Sequence, residues 1–472
     1  MVGALPGTPR SPGTNAAPPL KPPASRVQKD SRHPMARSTE ETADLDLRVE
    51  VDAPNAIDLA TDRPELSAEK QPLGADFLRL WSATAVSSIG DGIRIAVFPL
   101  LAATITRDPL LVAGVLFATR LPWLLFSLHS GAIIDRSDRR KLMVRVAVMR
   151  GLVMGVLAAA LLAGFENLGI LYVAAFLQGT GEVFSDNAAF ALLPKVVPRD
   201  RLEDANGRLE AAVIVLNEFA GPGLGALLFM RATGLPFVVD AVTFLSAGAL
   251  VWAMRHRAPR PRADVVHKKV SAEIGEGLRW LINERFLLNL SIIGALTNFF
   301  LHATFAIAVL FVLEILNAGA LGFAVLLAIE AAGALVGALA AGSVRRRLGT
   351  TRTIVGALLL AAAANLFIAA TSSYLAVAVM AALISLSGAT WNVVTNSMRQ
   401  QRVPDGLMGR VQSAHRLLSW GAIPLGALAG GLLGGALGLR APFLVAGVAL
   451  VLLTGAARRL RMPSDEREPV SN

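Results

Sequence analysis

Cysteine is absent from the 472-residue chain, which excludes disulfides and thiolate metal sites. Histidine is scarce: the six present are scattered, with no pair at ligand spacing, so no metal site is assigned. No Gly-x-x-x-x-Gly-Lys-Ser/Thr stretch occurs, and without that phosphate-binding loop ATP is not the expected energy source. Charge is sparse as well, at 17% of residues against the about 25% of soluble domains. What stands in its place is apolar: 54% of residues are hydrophobic and the mean hydropathy is +0.54. Much of this surface therefore faces lipid. The net charge of +10 could suggest nucleic acid, but the basic residues sit in alternate loops and at the ends of apolar runs. That placement is a membrane-topology signal, and no nucleic-acid partner is expected.

Residues 1–74 differ from the rest. Proline, alanine, serine and charges dominate, no apolar periodicity is visible, and too little can be buried to offset the ordering entropy. A disordered cytoplasmic tail is expected, with no apolar stretch near Met1 of the kind a secretory leader carries. It is read either as a regulatory tail or as a dispensable extension ahead of a later start at Met35.

From Phe77 onward apolar runs recur with short breaks, over about 77–103, 110–133, 142–164, 168–190, 209–230 and 235–254, then 286–313, 319–342, 351–371, 373–395, 411–436 and 441–457. Open strands cannot exist in lipid, whereas helices satisfy their own backbone groups. The expected fold is thus an all-α membrane protein with twelve transmembrane helices. The breaks after even-numbered runs hold basic clusters such as Arg136/Arg139/Arg140/Lys141, Arg345/Arg346/Arg347 and Arg399/Arg402/Arg410; those after odd runs hold almost none. By the positive-inside bias both termini are cytoplasmic, in a multi-pass protein of the cell membrane.

The long break over 255–285 divides two sets of six, 75–254 and 286–458, leaving a short tail over 459–472. Its second part, Ser271 to Leu281, places apolar residues at helical spacing, which predicts an amphipathic helix on the cytoplasmic membrane surface. The halves also repeat. Val197-Pro198 recurs as Val403-Pro404, 206 residues later, and Gly131 as Gly342, 211 residues later. Similar offsets at independent landmarks predict two pseudo-symmetric six-helix bundles.

Between the second and third runs stands Gly131-Ala-Ile-Ile-Asp135-Arg136-Ser-Asp138-Arg139-Arg140-Lys141. A positive stop at a membrane face explains the arginines but not Gly131 and Asp135 at these offsets. The stretch resembles the signature loop of the major facilitator superfamily. The fifth run holds Gly221-Pro222-Gly223-Leu-Gly225-Ala226. Proline frees a carbonyl and glycines permit close helix approach, so a kinked, tightly packed seam is expected. It is similar to the Gly-Pro-x-x-Gly-Gly motif of that superfamily's drug–proton antiporters, with Ala226 in place of the last glycine. Arg120-Leu-Pro122-Trp, Leu193-Pro194-Lys-Val-Val-Pro198 and Val403-Pro404 through Gly409-Arg410 resemble the branch of enterobactin exporters and macrolide efflux proteins, over about Phe77 to Arg459. His129 departs from that branch, where a small residue is expected. The resemblance implies export of bulky, partly apolar compounds driven by proton entry.

Ionisable residues inside spans are expensive and are functional candidates. Asp91 and Arg94, three apart, share a face of the first helix; Arg120 lies mid-way along the second; Glu182 and Asp186, four apart, share a face of the fourth, with Gln178 one turn earlier. Glu218 and Glu330 complete the set. Two readings compete: carboxylates that face a central cavity and exchange protons, or acids and arginines that neutralise each other as static interhelical glue. Asp91 and Glu182 are favoured as proton or substrate groups, and His302 as a packed, hydrogen-bonded side chain. Asp135, Arg136, Arg139, Arg140 and Arg410 would gate the inward side through ion pairs and helix-end contacts.

The sequence thus predicts no enzyme and no cofactor, but a monomeric secondary transporter in the lipid bilayer, exchanging protons for a small-molecule substrate by alternating access. A facilitator or importer of metabolites or lipids without proton antiport, and a transport-inactive membrane scaffold, are the alternatives.

Overall fold

A computed structural model describes residues 73–135, 137–255, 270–404 and 407–459. The expectations for the tail up to residue 72, for Arg136, for residues 256–269 and for residues 460–472 lie outside the described residues. Among the described residues every regular element is helical: α1 Ala75–Ile105, α2 Pro109–Asp135, α3 Arg139–Leu162, α4 Leu168–Val196, α5 Leu202–Val213, α6 Gly221–Arg231, α7 Leu235–Trp252, α8 Val270–Asn283, α9 Arg285–Leu310, α10 Gly319–Leu348, α11 Thr350–Ala370, α12 Tyr374–Arg402, α13 Met408–Leu437 and α14 Ala441–Arg459. Within them, 12 spans are long and apolar enough to cross a membrane. The fifth combines α5, a π-helical segment Ile214–Ala220 and α6; the seventh runs from α9 through a second π-helical segment, Phe311–Ile315.

The helices outrun the expected boundaries at the ends that carry the basic loops. Arg345, Arg346 and Arg347 lie in the last turn of α10, Arg399 and Arg402 in that of α12, and Arg410 in α13. A hydropathy reading stops at the first cluster of charge. The backbone bonds do not, because long cationic stems lie along apolar surface and their heads complement helix C-termini.

Helix pairing repeats between the halves. In the first, α1 packs on α7 and α6, α2 on α4, and α3 on α4 and α7; in the second, α9 packs on α14 and α13, α10 on α12, and α11 on α12 and α14. The α9–α13 seam is made by glycine: a Cβ on Gly426 or Gly430 would collide with the carbonyls of Phe299 and Ala303. The matching seam of the first half uses the Gly221-Pro222 stretch. A Cβ on Gly221 would lie 2.5 Å from the Cα of Gly92, and one on Gly225 would lie 2.9 Å from the Ile93 carbonyl oxygen. Between two helices in lipid there is little hydrophobic drive, so close backbone approach supplies the cohesion. Pro222 cannot donate to the preceding turn, and the chain widens there: the Gly221 N–H bonds the Leu216 carbonyl, five residues back.

The core shows where the halves join and where they part. At the end away from the basic loops one continuous core draws on both halves, with Phe98, Leu101 and Val112 of the first and Phe311, Phe323 and Phe443 of the second. There Gly431 packs against the backbone of Pro109 and Leu110. At the basic-loop end two separate cores stand, one built from Phe77, Leu80, Leu192 and Val251, the other from Leu287, Ile354, Val411 and Leu450. The halves are therefore sealed at one end and hold independent cores at the other.

The expected amphipathic helix is α8. It buries Leu281 and packs Leu278 and Trp280 against the second of these cores, with Gly277 pressed onto the Arg410 backbone.

Candidate functional site

A cavity of about 460 Å³ opens inside the first half, closed at its sealed end by Phe305 and Ala306 of α9. That volume lies in the usual range for small-molecule pockets. Phe98 and Phe244 supply apolar walls, while Asp91, Arg94, Arg120, Arg150, Glu182 and Asp186 supply charge.

These charges form one network across four helices. Arg94 of α1, 5% exposed, donates to Asp91 at 2.6 Å, to Gln178 at 3.0 Å and to Glu182 at 3.2 Å. Arg120 of α2 donates to the other oxygen of Glu182 at 3.1 Å. Arg150 of α3, 2% exposed, donates to Asp91 and, through Nε, to Gln178 at 2.8 Å. Its guanidinium lies 3.9 Å from the centroid of the Phe244 ring, and Gln178 returns a bond to the Arg150 carbonyl at 2.8 Å. Glycine again makes the room: a Cβ on Gly181 would meet the Arg150 stem at 2.6 Å. Charge-assisted guanidinium–carboxylate bonds of this kind are the strong ones. Stripping one partner from a buried pair typically costs about 3–5 kcal/mol.

The family model described as "Transmembrane secretion effector" matches residues 69–472. The chain belongs to this family of the major facilitator superfamily. It is 30% identical over 400 residues to the multidrug efflux pump Tap of Mycobacterium tuberculosis, covering 83% of this chain and 94% of that one. To macrolide efflux protein A of Streptococcus pyogenes it is 22% identical over 393 residues, 80% of this chain and 94% of the relative. Among solved structures, a bacterial homologue of the iron transporter ferroportin in an inward-facing state superposes with a TM-score of 0.63 at 19% identity, covering 82% of this chain and all of that one (100%). The protein is a multi-pass membrane transporter, not an enzyme.

The fold of this transporter brings some of the sequence candidates together and leaves others apart. Asp91, Arg94, Arg120 and Glu182 join, but Arg120 serves Glu182 rather than Asp91. Asp186 lines the same cavity, exposed to it. Glu218, in the first π-helical segment, is exposed, and Glu330 is half-buried in α10; neither enters the network. Gly221, Pro222 and Gly225 back it from behind, since Gly92, against which Gly221 packs, follows Asp91 directly.

Of the loop residues, Gly131 and Asp135 end α2. Asp138 caps α3, accepting from the Lys141 N–H at 3.2 Å. Arg139 donates to the Ala191 carbonyl near the end of α4 at 3.2 Å. Arg140 donates to the last carbonyls of α7, Val251 at 3.2 Å and Trp252. Arg410 pairs with Glu276 of α8 at 2.9 Å. In this conformation Arg139, Arg140 and Arg410 thus tie helix ends within their own half. Cations at helix C-termini contribute about 0.3–1 kcal/mol each. Arg140→Ala is therefore expected to lower stability by about 1 kcal/mol or less, read as a small drop in the thermal midpoint of the purified transporter.

Three functional candidates escape a reading by runs. Arg150 lies inside the third run, five residues after Arg145, and Asp240 is the one charged residue of the sixth. Arg416, at the start of the eleventh run, lies over the rings of Trp123 and Trp420, 5.6 and 4.7 Å from their centroids, where α2 and α13 meet. It is also within electrostatic reach of Asp186 across the gap between the halves. The available signal was Arg150-Gly151 beside Gln178-Gly179-Thr-Gly181: a buried arginine needs a small neighbour on the facing helix. In the second half the Nδ1–H of His302 donates to the Asn298 carbonyl at 2.8 Å, and the Asn298 side-chain amide donates to the Ser419 carbonyl at 3.0 Å. This is the packed arrangement expected of that histidine.

Proposed function

We propose that the protein is a proton-coupled exporter of bulky, partly apolar small molecules that works by alternating access between its two halves. One observation carries the reading. A cavity with aromatic walls and a buried arginine–carboxylate network lies between a sealed end and an end where the halves keep separate cores. The positive-inside bias supports a cytoplasmic parted end, and on this reading the protein sits in the cell membrane in an inward-open state. The efflux activities printed for the related proteins favour export and an amphiphilic cargo.

Coupling follows from the network's arithmetic. Asp91 is shared by two arginines and Glu182 by two. A proton taken up by either carboxyl releases guanidinium groups to rearrange, and substrate and proton then compete for one set of charges. Each proton moving down about 100 mV supplies about 2.3 kcal/mol, enough for about 50-fold accumulation of a neutral cargo.

The test is accumulation of labelled erythromycin in everted vesicles under an imposed proton gradient. Wild type should accumulate it, while Asp91→Asn and Glu182→Gln should lose the gradient-dependent part. If both variants fold and accumulate like wild type, the network is static interhelical glue and the coupling site lies elsewhere. No gradient dependence in wild type would remove proton coupling itself.

A further inference from the structure

Asp240 of α7, one helical turn before the cavity-lining Phe244, is used by none of the bonds above. It is fully buried, at 0% exposure, and both of its carboxyl oxygens lack a hydrogen-bond partner. The nearest hydroxyl, that of Thr243, is already spent on the backbone carbonyl of Asp240 itself, at 2.7 Å. On the facing helix α1 stands Gly90, where any Cβ would collide with the Asp240 carboxyl and the Thr243 hydroxyl. The site is thus a close-fitted chamber whose adjacent hydroxyl has its own proton committed and is left as an acceptor for a protonated carboxyl.

Its surroundings are nevertheless charged. From α1, Asp91 and Arg94 follow Gly90 directly, and from α3 Arg150 reaches the same face of α7: its guanidinium covers Phe244, one helical turn beyond Asp240. Arg94, Arg150 and Asp91 are the charged groups that act on Asp240. Both arginines are committed to Asp91 in this conformation. A buried carboxyl with no direct cation partner favours its neutral form.

We propose that Asp240 is a proton-carrying site: it holds a proton in this state and gives it up when Arg150 or Arg94 leaves Asp91 to pair with it. The proton is then held on α7 one turn before the cavity-lining Phe244, apart from Asp91 and Glu182, which line the cavity. This rests on the proton-coupled reading above, and adds to it the residue where the proton waits. The step releases one proton: when one guanidinium moves from Asp91 to Asp240, Asp240 ionises and its proton leaves the network, while Asp91 stays ionised on the arginine that remains.

Two measurements decide it. In the infrared difference between wild type and D240N at neutral pH, a protonated carboxylic C=O band is expected; its absence overturns the proposal without reference to transport. In proteoliposomes loaded with labelled erythromycin, D240N should keep gradient-free counterflow within about two-fold of wild type. It should lose most of the gradient-driven accumulation that wild type shows. Asparagine has the shape of the neutral acid, so a purely structural role predicts wild-type behaviour in both assays, and that result overturns the proposal, as does equal loss of both activities. Should D240N fail to reach the membrane, D240E replaces it, and an unchanged pH profile of gradient-driven accumulation is then the overturning result. Wild type that shows counterflow but no gradient-driven accumulation removes the proton-coupled reading and this inference with it. Failure confined to D240N's predicted behaviour removes only this inference.

Discussion

Arg150→Met is expected to be the most damaging single substitution in the charged network, lowering stability by about 3–5 kcal/mol. Methionine fills much of the volume but leaves Asp91 with Arg94 alone and Gln178 without the Nε donor now 2.8 Å away. It also takes the cation from the Phe244 face. The measurement is unfolding of the purified protein in detergent, together with the fraction that remains monodisperse. Arg150→Lys keeps the charge but cannot bridge Asp91 and Gln178 while stacking, because an ammonium is a point donor rather than a planar fork. An intermediate loss is expected. The double substitution Arg150→Met with Asp91→Asn should recover part of the stability, with a coupling of about 1–3 kcal/mol. Strict additivity would mean that the two groups do not depend on each other, contrary to the geometry.

Gly221→Val is expected to cost about 3 kcal/mol or more and to abolish transport, whereas Gly223→Val, two residues on, should change stability by less than about 1 kcal/mol. A Cβ at 221 would lie 2.5 and 2.7 Å from backbone atoms of Gly92, and backbone cannot move aside as a side-chain tip can. A Cβ at 223 would meet nothing within 4 Å. The difference is one of face, not composition. Displacing α1 at Gly92 also displaces its neighbour Asp91, so the first variant should lose substrate binding even where folded protein can be isolated. Thermal unfolding and erythromycin counterflow, run on both variants, check the pair.

Both results turn on what a sequence can and cannot express. Twelve apolar runs, their basic breaks and the recurrence of Val197-Pro198 as Val403-Pro404 are properties of the chain read along its length. They sufficed for the spans, the pairing of halves and the membrane class. The reason is that the bilayer acts on each run separately: a segment of about 20 apolar residues is driven across lipid whatever its neighbours are. The signature loop and the glycine–proline stretch were legible for the same reason, since each is contiguous. Within one helix, offsets of three and four residues also placed Asp91 with Arg94 and Glu182 with Asp186 on common faces.

Which faces meet is a different matter, because the packing that decides it involves residues far apart in the chain. Arg120 could have served either acid along the sequence, and the α2–α4 packing assigns it to Glu182, 62 positions away. Arg150 was invisible as a partner because its acid lies 59 positions earlier, on a helix it meets only through the bundle. Asp240 looked like one polar residue in an apolar run; its isolation exists only once Gly90 closes over it. The chain by itself determined that this protein spans a membrane twelve times as two related halves, because hydrophobic transfer is local and additive along a helix. Only the tertiary structure decided which charges neutralise one another, which glycine is irreplaceable and at which end the halves part, because those depend on contacts between surfaces that no single run contains.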